Sequence, residues 1–522
     1  MSHPVRHSAA SSEPEDRGSA DVTAMDPAIS TERSVATIGG ARGGVLEYAT
    51  QEHAPSRVTI HTVLKLALPT LAEQLLMAVI GLTDTIIAGH TGDTPGQIAA
   101  ASAAVGTMAY IQWFSGLMNA ALGVGATAIV ARSIGARRPR VANRVAGTSV
   151  CSAFVIGLGV ALSLFVFAPG VVWACGLRDL AAQFAITYMR IMCITICLQA
   201  AAQIGMACLR GAGDTMRPMF ITGGVMIVNG FFSSAFTFGW LGAPRWGVAG
   251  NAFGTMLAFL LSGIATLIML MGGSAGIKLG LRHLRIVPHV LWRVLRIGLP
   301  SWFEGLLLWV GQFAIVVLVI NRNDAAVAQL KGGEAMGGVT MAAHNAVLRI
   351  ESIAFLPGFG FGIAASALVG QMLGARRPQD ARQAAFLTNR LAFLTMTLAA
   401  VPMVLFPRFL LRILVKSEPV VEVGYWPMIL AGLAQPGFSI AITMGSALKG
   451  AGETVLPMFS TIAGIFLIRV PVLMLALWYF TRIGHAEWGL IAVWIGILTD
   501  LNFRAGTNLL GFLRGGWMRK KV

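Results

Sequence analysis

The sequence predicts an all-α membrane protein with twelve transmembrane helices in two pseudo-twofold-related lobes of six, set around a central cavity. Three observations predict it. Hydrophobic residues make up 56% of the 522 residues and charged residues 12%, with a mean hydropathy of +0.72; a water-soluble surface needs roughly twice that charge density. The apolar residues fall in long runs, such as Val150 to Pro169, Met219 to Leu241 and Leu391 to Phe406. Runs of about 20 residues match the ~30 Å hydrocarbon core of a bilayer. Finally, whole segments recur half a chain apart.

Taken in order, helices are expected at 66–89, 98–131, 145–169, 180–208, 219–241, 246–272, 297–321, 337–370, 391–407, 424–447, 456–480 and 489–513. Residues 1–56 are rich in Ser, Ala, Glu, Asp and Arg without apolar periodicity, and are expected to form a disordered cytoplasmic tail. They lack the basic start and apolar core of a signal peptide. Lys and Arg concentrate in the loops after even-numbered helices and at the C-terminus, for example Arg137, Arg138, Arg282, Arg285, Arg376, Arg377, Lys520 and Lys521. The positive-inside rule then puts both termini in the cytoplasm of a multi-pass inner-membrane protein. The net charge of +16 is thereby a topology signal and a contact with anionic lipid, not a nucleic-acid surface. Five cysteines, all in the first half and without metal spacing, read as small packing residues.

The repeats fix the architecture. "IGARRP" at 134–139 returns as "LGARRP" at 373–378, and "LRGAGDTMRPMF" at 209–220 returns as "LKGAGETVLPMF" at 448–459, both 239 residues later. "ALPTLAEQLL" at 67–76 returns as "GLPSWFEGLL" at 298–307, offset by 231. An even number of helices separates the copies, so both halves enter the membrane in the same sense. The pseudo-twofold therefore runs along the membrane normal, with the substrate path between an N-lobe (57–280) and a C-lobe (281–522).

These segments, with "LALPTLAEQLLMAVIGLTDTIIAGHTGD", "GATAIVARSIGARRP" and "AAHNAVLRIESIAFLPGFGFGIAASALVGQMLGARRP", resemble the multidrug and toxic compound extrusion (MATE) family over about residues 60–515. The resemblance implies a bacterial-type secondary antiporter with two six-helix lobes. Such an antiporter exports amphipathic, cationic small molecules in exchange for H⁺ or Na⁺, with no further cofactor or resident metal, as a monomer in lipid.

Ten ionisable side chains fall within the expected helices: Glu73, Asp84, Arg190, Glu304, His344, Arg349, Glu351, Arg469, Asp500 and Arg504. Each is costly in lipid and points to a functional or paired interior position. Asp84 follows Pro69 by fifteen residues, where the family's first-helix carboxylate sits. Withdrawing a carboxyl from water penalises its charged form, which would let it exchange a proton; the alternative is an ionised brace between helices. Glu73, three turns earlier on nearly the same face, joins it in an acidic stripe or satisfies backbone beside the proline. The resemblance adds Asn229 to the N-lobe ion site, while Ser233 stands where several relatives carry an Asp. That departure favours H⁺ over Na⁺. Glu304 mirrors Glu73 in the second half, as an ion site or a brace. Leu308 occupies the position of a Glu found in other branches.

On the eighth helix His344 and Glu351 share a face, whereas Arg349 does not; these three are read as structural, with His344 also a candidate relay. Pro357 within "GFGFG" offers a place to bend. Trp113, Gln312, Phe114, Trp309 and Met118 are candidate cavity lining, or plain packing. The "RGAGDT" and "KGAGET" pieces read as tight loops without the Lys-Ser/Thr ending of a phosphate loop. A lipid or polysaccharide-precursor flippase of the same superfamily is the alternative. It calls for a basic cavity and often fourteen helices. A membrane enzyme is disfavoured, because no nucleophile or metal constellation is present.

Overall fold

A computed structural model of the chain describes residues 58–273, 275–315, 319 and 338–520. The expected tail, 1–56, lies outside them. The helices are α1 (Ile60–Gly89), α2 (Pro95–Gly135), α3 (Pro139–Ala174), α4 (Asp179–Gly211), α5 (Met216–Phe238), α6 (Val248–Gly272), α7 (Pro288–Ile315), α8 (Val339–Gly374), α9 (Pro378–Leu405), the short α10 (Pro407–Leu414), α11 (Glu418–Gly450), α12 (Val455–Arg482) and α13 (Gly489–Leu513). Twelve are long. Among the described residues nine are apolar enough by length and composition to cross a membrane. The other three, α2, α7 and α13, are diluted by Gly, Ser, Asn, Gln and charged residues.

Several helices start earlier than hydropathy places them. Pro139 and Pro378 stand at the first helical turn of α3 and α9, where the fixed φ of proline is already helical and its missing N–H is not needed. The following Arg140, Arg144, Asp380 and Arg382 then ride on helix that extends beyond the apolar layer. The helix α10, set off by Pro407, has no counterpart among the expected elements. Around Pro357, α8 runs uninterrupted. Its glycines serve close contact instead: Gly358 faces the Met396 sulfur, and Gly360 faces α1 at Leu71. Inside α12, residues Gly464–Arg469 form a π-helical segment.

The two repeated motifs fold into matching turns. Arg137 and Arg376 both take left-handed φ values, 56° and 60°, and the next amide reaches back to Ser133 O (2.9 Å) and Met372 O (2.8 Å) respectively. Gly213 and Gly452 do the same for the other motif, with φ of 94° and 82°. There Asp214 N bonds Leu209 O (2.9 Å) and Glu453 N bonds Leu448 O (2.8 Å). Each turn closes the orphan carbonyls of a helix end. All four lie at one end of the bundle, the basic end.

The cores are divided unevenly along the bundle. Away from the basic end, one apolar cluster draws on α1 to α6 alone (Ile80, Val105, Tyr188, Val225, Phe259) and another on the second half alone (Val347, Met428, Leu490, Trp494). At the basic end the cores are shared. Val290, Val294 and Ile297 of α7 pack among α2, α3 and α4, and Val63, Leu66 and Ala67 of α1 pack among α8, α9 and α11. In lipid such approach depends on small residues. A side chain on Gly135 of α2 would collide with Gln371 O of α8, and one on Gly374 of α8 would collide with Arg132 O of α2. These pairs exchange under the 239-residue repeat, so the contact is reciprocal. Gln371 Nε2 also donates to Gly211 O of α4 at 3.1 Å. The basic end is closed.

Candidate functional site

Asp84 lies near the Gly89 end of α1 and is 9% exposed. Its surroundings come from two helices. On α5, Asn229 and Ser233 are one turn apart and continue a buried stripe through Pro218, Ile221 and Val225. On α6, Asn251 and Thr255 are likewise one turn apart. Gly250 and Gly254 let the two backbones touch, since a side chain on either would collide with α5 at Phe236 or Ser233. The polar faces are thereby pressed together around the carboxylate.

Asn229 Nδ2 donates to Asp84 Oδ1 at 3.1 Å. The Thr255 hydroxyl lies 3.2 Å from Oδ1 and 3.3 Å from Oδ2. It is also 3.0 Å from Asn251 O. Asn251 Nδ2 donates to the Asp84 carbonyl at 3.2 Å, and Ser233 Oγ donates to the Asn251 carbonyl at 3.2 Å. Tyr188 of α4 reaches Thr255 by a further hydrogen bond. No cation pairs with Asp84 among the described residues.

This arrangement can hold either protonation state. A hydroxyl has one hydrogen, so Thr255 serves Asp84 when the carboxylate is ionised and Asn251 O when it is not. Asn229 Oδ1 and Asn251 Oδ1 are buried acceptors that no donor reaches among the described residues. A cavity of about 30 Å³ beside Tyr188, lined by Met108, Gln112, Met192 and Gln199 among others, is large enough for one water molecule.

Glu73 belongs to a different site. It lies about 16 Å further along α1, from a helical rise of ~1.5 Å per residue, and pairs with Arg210 Nη1 at 2.6 Å. Glu304 pairs with Lys449 at 2.8 Å and accepts from Thr461 at 3.4 Å. Glu73 and Glu304 are repeat mates, as are Arg210 and Lys449. Each lobe therefore pins a proline-linked carboxylate with the cation of its "GAG" turn. The expected acidic stripe is split: Glu73 faces a guanidinium, Asp84 faces amides and hydroxyls.

On α8, His344 and Glu351 are buried, and the His344 ring lies 5.9 Å from that of Trp494. Arg349 is exposed and makes no ion pair among the described residues, which removes it as a brace of the lobe. Arg469 takes that role, bonding Asp500 Oδ2 at 2.6 Å. The side chains of Trp113, Phe114, Gln312 and Met118 lie outside the described residues, and Trp309 is half-buried. Sequence reasoning missed Thr255, Asn251 and Tyr188, which carry no charge. Their one signal was the one-turn spacing of two polar residues in an otherwise apolar run.

Compared with known proteins, the chain matches the MatE family over residues 69–235 and 300–475. It is 29% identical over 475 residues to a probable multidrug resistance protein NorM of Thermotoga maritima, covering 88% of this chain and 93% of that protein. It is 23% identical over 433 residues to an uncharacterized transporter, YisQ, of Bacillus subtilis, covering 83% and 89%. Among solved structures it resembles the outward-facing conformation of a multidrug resistance MATE family transporter of the MOP superfamily, with a TM-score of 0.73 at 22% identity, covering 88% of this chain and 96% of that one. The Vibrio cholerae MATE transporter VcmN in its bent form gives a TM-score of 0.74 at 18% identity, covering 87% and 96%. At these identities the structural likeness is one of fold: twelve helices in two lobes.

Proposed function

This chain belongs to the MatE family and is a multidrug efflux transporter, and from that premise we propose that it is an antiporter expelling amphipathic organic cations in exchange for protons. The observation that carries the proposal is Asp84: a buried carboxyl without a cationic partner among the described residues, faced by an amide that donates to it and by a hydroxyl that can either donate to it or turn to a backbone carbonyl. Proton and substrate then compete by charge. The neutral carboxyl tolerates an apolar surrounding; the ionised one favours a cation nearby.

A proton suits this site better than Na⁺. The Asn229 amide donates to Asp84 Oδ1 and the Thr255 hydroxyl lies within donating distance of both oxygens, so a metal ion would have to displace these donors. Ser233 supplies a hydroxyl where a second carboxylate would strengthen a cation site. One pH unit supplies about 1.4 kcal/mol per proton, and a one-for-one exchange with a monovalent cation is electrically silent. The distribution of Lys and Arg supports an inner-membrane orientation with the basic end and both termini in the cytoplasm. In that orientation the closed basic end corresponds to a state facing outward. The unit is read as a monomer.

Asp84→Asn, which keeps shape and removes the ionisable group, tests the reading in proteoliposomes with and without Na⁺. The expected result is a folded protein that releases no protons on substrate addition and builds no substrate gradient. Wild-type transport with an unchanged pH profile would place the coupling elsewhere. Activity that collapses without Na⁺ would change the ion.

A further inference from the structure

The second lobe contains a buried ionic cluster for which the antiport mechanism has so far had no use. Asp500 of α13 is fully buried and receives two guanidinium groups. Arg469 Nη2 lies 2.6 Å from its Oδ2, and Arg504 approaches through Nε at 2.7 Å and again through Nη2. The cluster is built into the backbone. The π-helical segment Gly464–Arg469 inserts an extra residue into the turn, a device common at functional sites. Gly464 also leaves room, since a side chain there would stand 3.0 Å from Arg504 Nε.

These three groups sum to one positive charge. The fourth member is Glu351 of α8, 5% exposed, which interacts with Arg469 through space but makes no hydrogen bond among the described residues. Meanwhile Arg469 Nε is buried without an acceptor. A permanently ionised glutamate would take up that idle donor, because unpaired buried charge is costly. The cluster is thus arranged for a carboxyl that is not always charged. Ionised, Glu351 brings the cluster to neutrality; protonated, it leaves a net positive charge.

We propose that Glu351 is a second proton-binding site, in the C-lobe, set by the Arg469–Asp500–Arg504 cluster and independent of Asp84. Other charged groups near it are few. On its own helix, His344 lies two turns away. From α12 it interacts with Arg469, which in turn holds Asp500 of α13, the carboxylate that Arg504 also binds. The buried residues of α9, α10 and α11 include no titratable group. The charged residues of α1, α2 and α4 that approach α8, namely Glu73, Arg132 and Arg210, belong to the basic end. Repeat mates give no hint of the site, since Gln112 corresponds to Glu351, Gly230 to Arg469 and Leu261 to Asp500.

Resting on the antiport reading, the proposal makes transport carry two protons inward for each monovalent cation expelled, so that one net charge crosses per cycle. Infrared titration of the purified full chain tests the site directly, because a protonated buried carboxyl has its own C=O band. As pH rises, wild type should lose two such bands, Asp84→Asn only that of Glu351, Glu351→Gln only that of Asp84, and the double variant neither, because it has neither. In proteoliposomes, Glu351→Gln should halve the protons released per substrate and abolish acceleration by an inside-negative potential. If Glu351→Gln leaves the infrared titration of wild type unchanged, Glu351 is a fixed counter-ion and the proposal falls. Loss of a band without any change in proton count or potential dependence would overturn its role in coupling. A wild-type protein that shows the Glu351 band yet releases no protons on substrate addition would instead sink the antiport reading and leave the site standing. Should Glu351→Gln fold poorly, Glu351→Asp keeps the carboxyl and should retain a shifted band.

Discussion

Gly135→Ala and Gly374→Ala each put one methyl group where α2 and α8 cross at the closed basic end. On Gly135 that methyl would lie 2.7 Å from the Gln371 carbonyl carbon and 2.9 Å from its Cα; on Gly374 it would lie 2.8 Å from the Arg132 carbonyl carbon and 3.0 Å from Ala136 N. Carbon atoms rest at about 3.5–4.0 Å, so the helices must part by about 1 Å. Neither neighbour can swing aside, because the atoms met are backbone. Overpacking of this kind costs roughly 1–3 kcal/mol, and 1.4 kcal/mol is about tenfold in an equilibrium. Each substitution should therefore shift the ratio of closed to open basic ends by roughly 5- to 150-fold towards open. The double variant should shift it by less than the product, since one separation relieves both contacts. Spin labels at Arg140→Cys and Gln379→Cys, exposed repeat mates on α3 and α9, in a background without the five native cysteines, report the separation of the lobes. Longer distances and slower export are expected in both single variants. An unchanged distance distribution in both would show that the basic end does not close through these glycines, and the reciprocal contact would lose its role as a gate.

Other outcomes follow from the two kinds of buried carboxylate. Glu73→Gln strips Arg210 of its partner, and should lower stability by on the order of 2 kcal/mol, below the cost for a fully buried pair because Arg210 keeps some water; thermal unfolding in detergent compared with Asp84→Asn checks this, and equal melting temperatures would contradict it. Thr255→Val removes the one hydroxyl that serves Asp84 directly among the described residues, so the pH optimum of export should move while folding is kept; an unmoved optimum would exclude Thr255 from the proton site. Ser233→Asp adds a second carboxylate one turn from Asn229, and should introduce Na⁺ stimulation that the parent lacks, read as transport rate against Na⁺ at constant pH.

Much of the architecture was legible because it is written twice. The motif pairs gave two lobes of six helices, and their turns recur down to the residue with left-handed φ. Helix ends were less legible. Hydropathy marks where a helix leaves the apolar layer, not where it ends, so the polar first turns after Pro139 and Pro378 were missed. At the site, Asp84 and Asn229 stood out, one as a charge in an apolar run and the other through the family likeness. Thr255 and Asn251 did not, because an uncharged polar residue in a membrane helix usually satisfies its own backbone. The Glu73–Arg210 and Glu304–Lys449 pairs were present in the repeats but not joined, since nothing local links the first helix of a lobe to the end of its fourth.

What is duplicated and what is not separates two tasks. The contacts that close the basic end are reciprocal under the repeat: Gly135 with Gln371 against Gly374 with Arg132, and Gly298 on Ala121 against Gly360 on Ala67. Two lobes that part about a common axis must release both copies together, so symmetry makes the closure cooperative. The chemistry is not duplicated. The C-lobe residues that correspond to Asp84, Asn229 and Thr255 are Ile315, Ile468 and Trp494, none able to hold a proton in their place. The charges of the C-lobe stand instead on Glu351, Arg469 and Asp500, whose N-lobe mates are uncharged. Two identical proton sites would load and empty over the same pH range. Sites in unlike surroundings, one among amides and hydroxyls and one beside guanidinium groups, bind protons with different affinities, and such a pair can give one direction of exchange a defined order of steps.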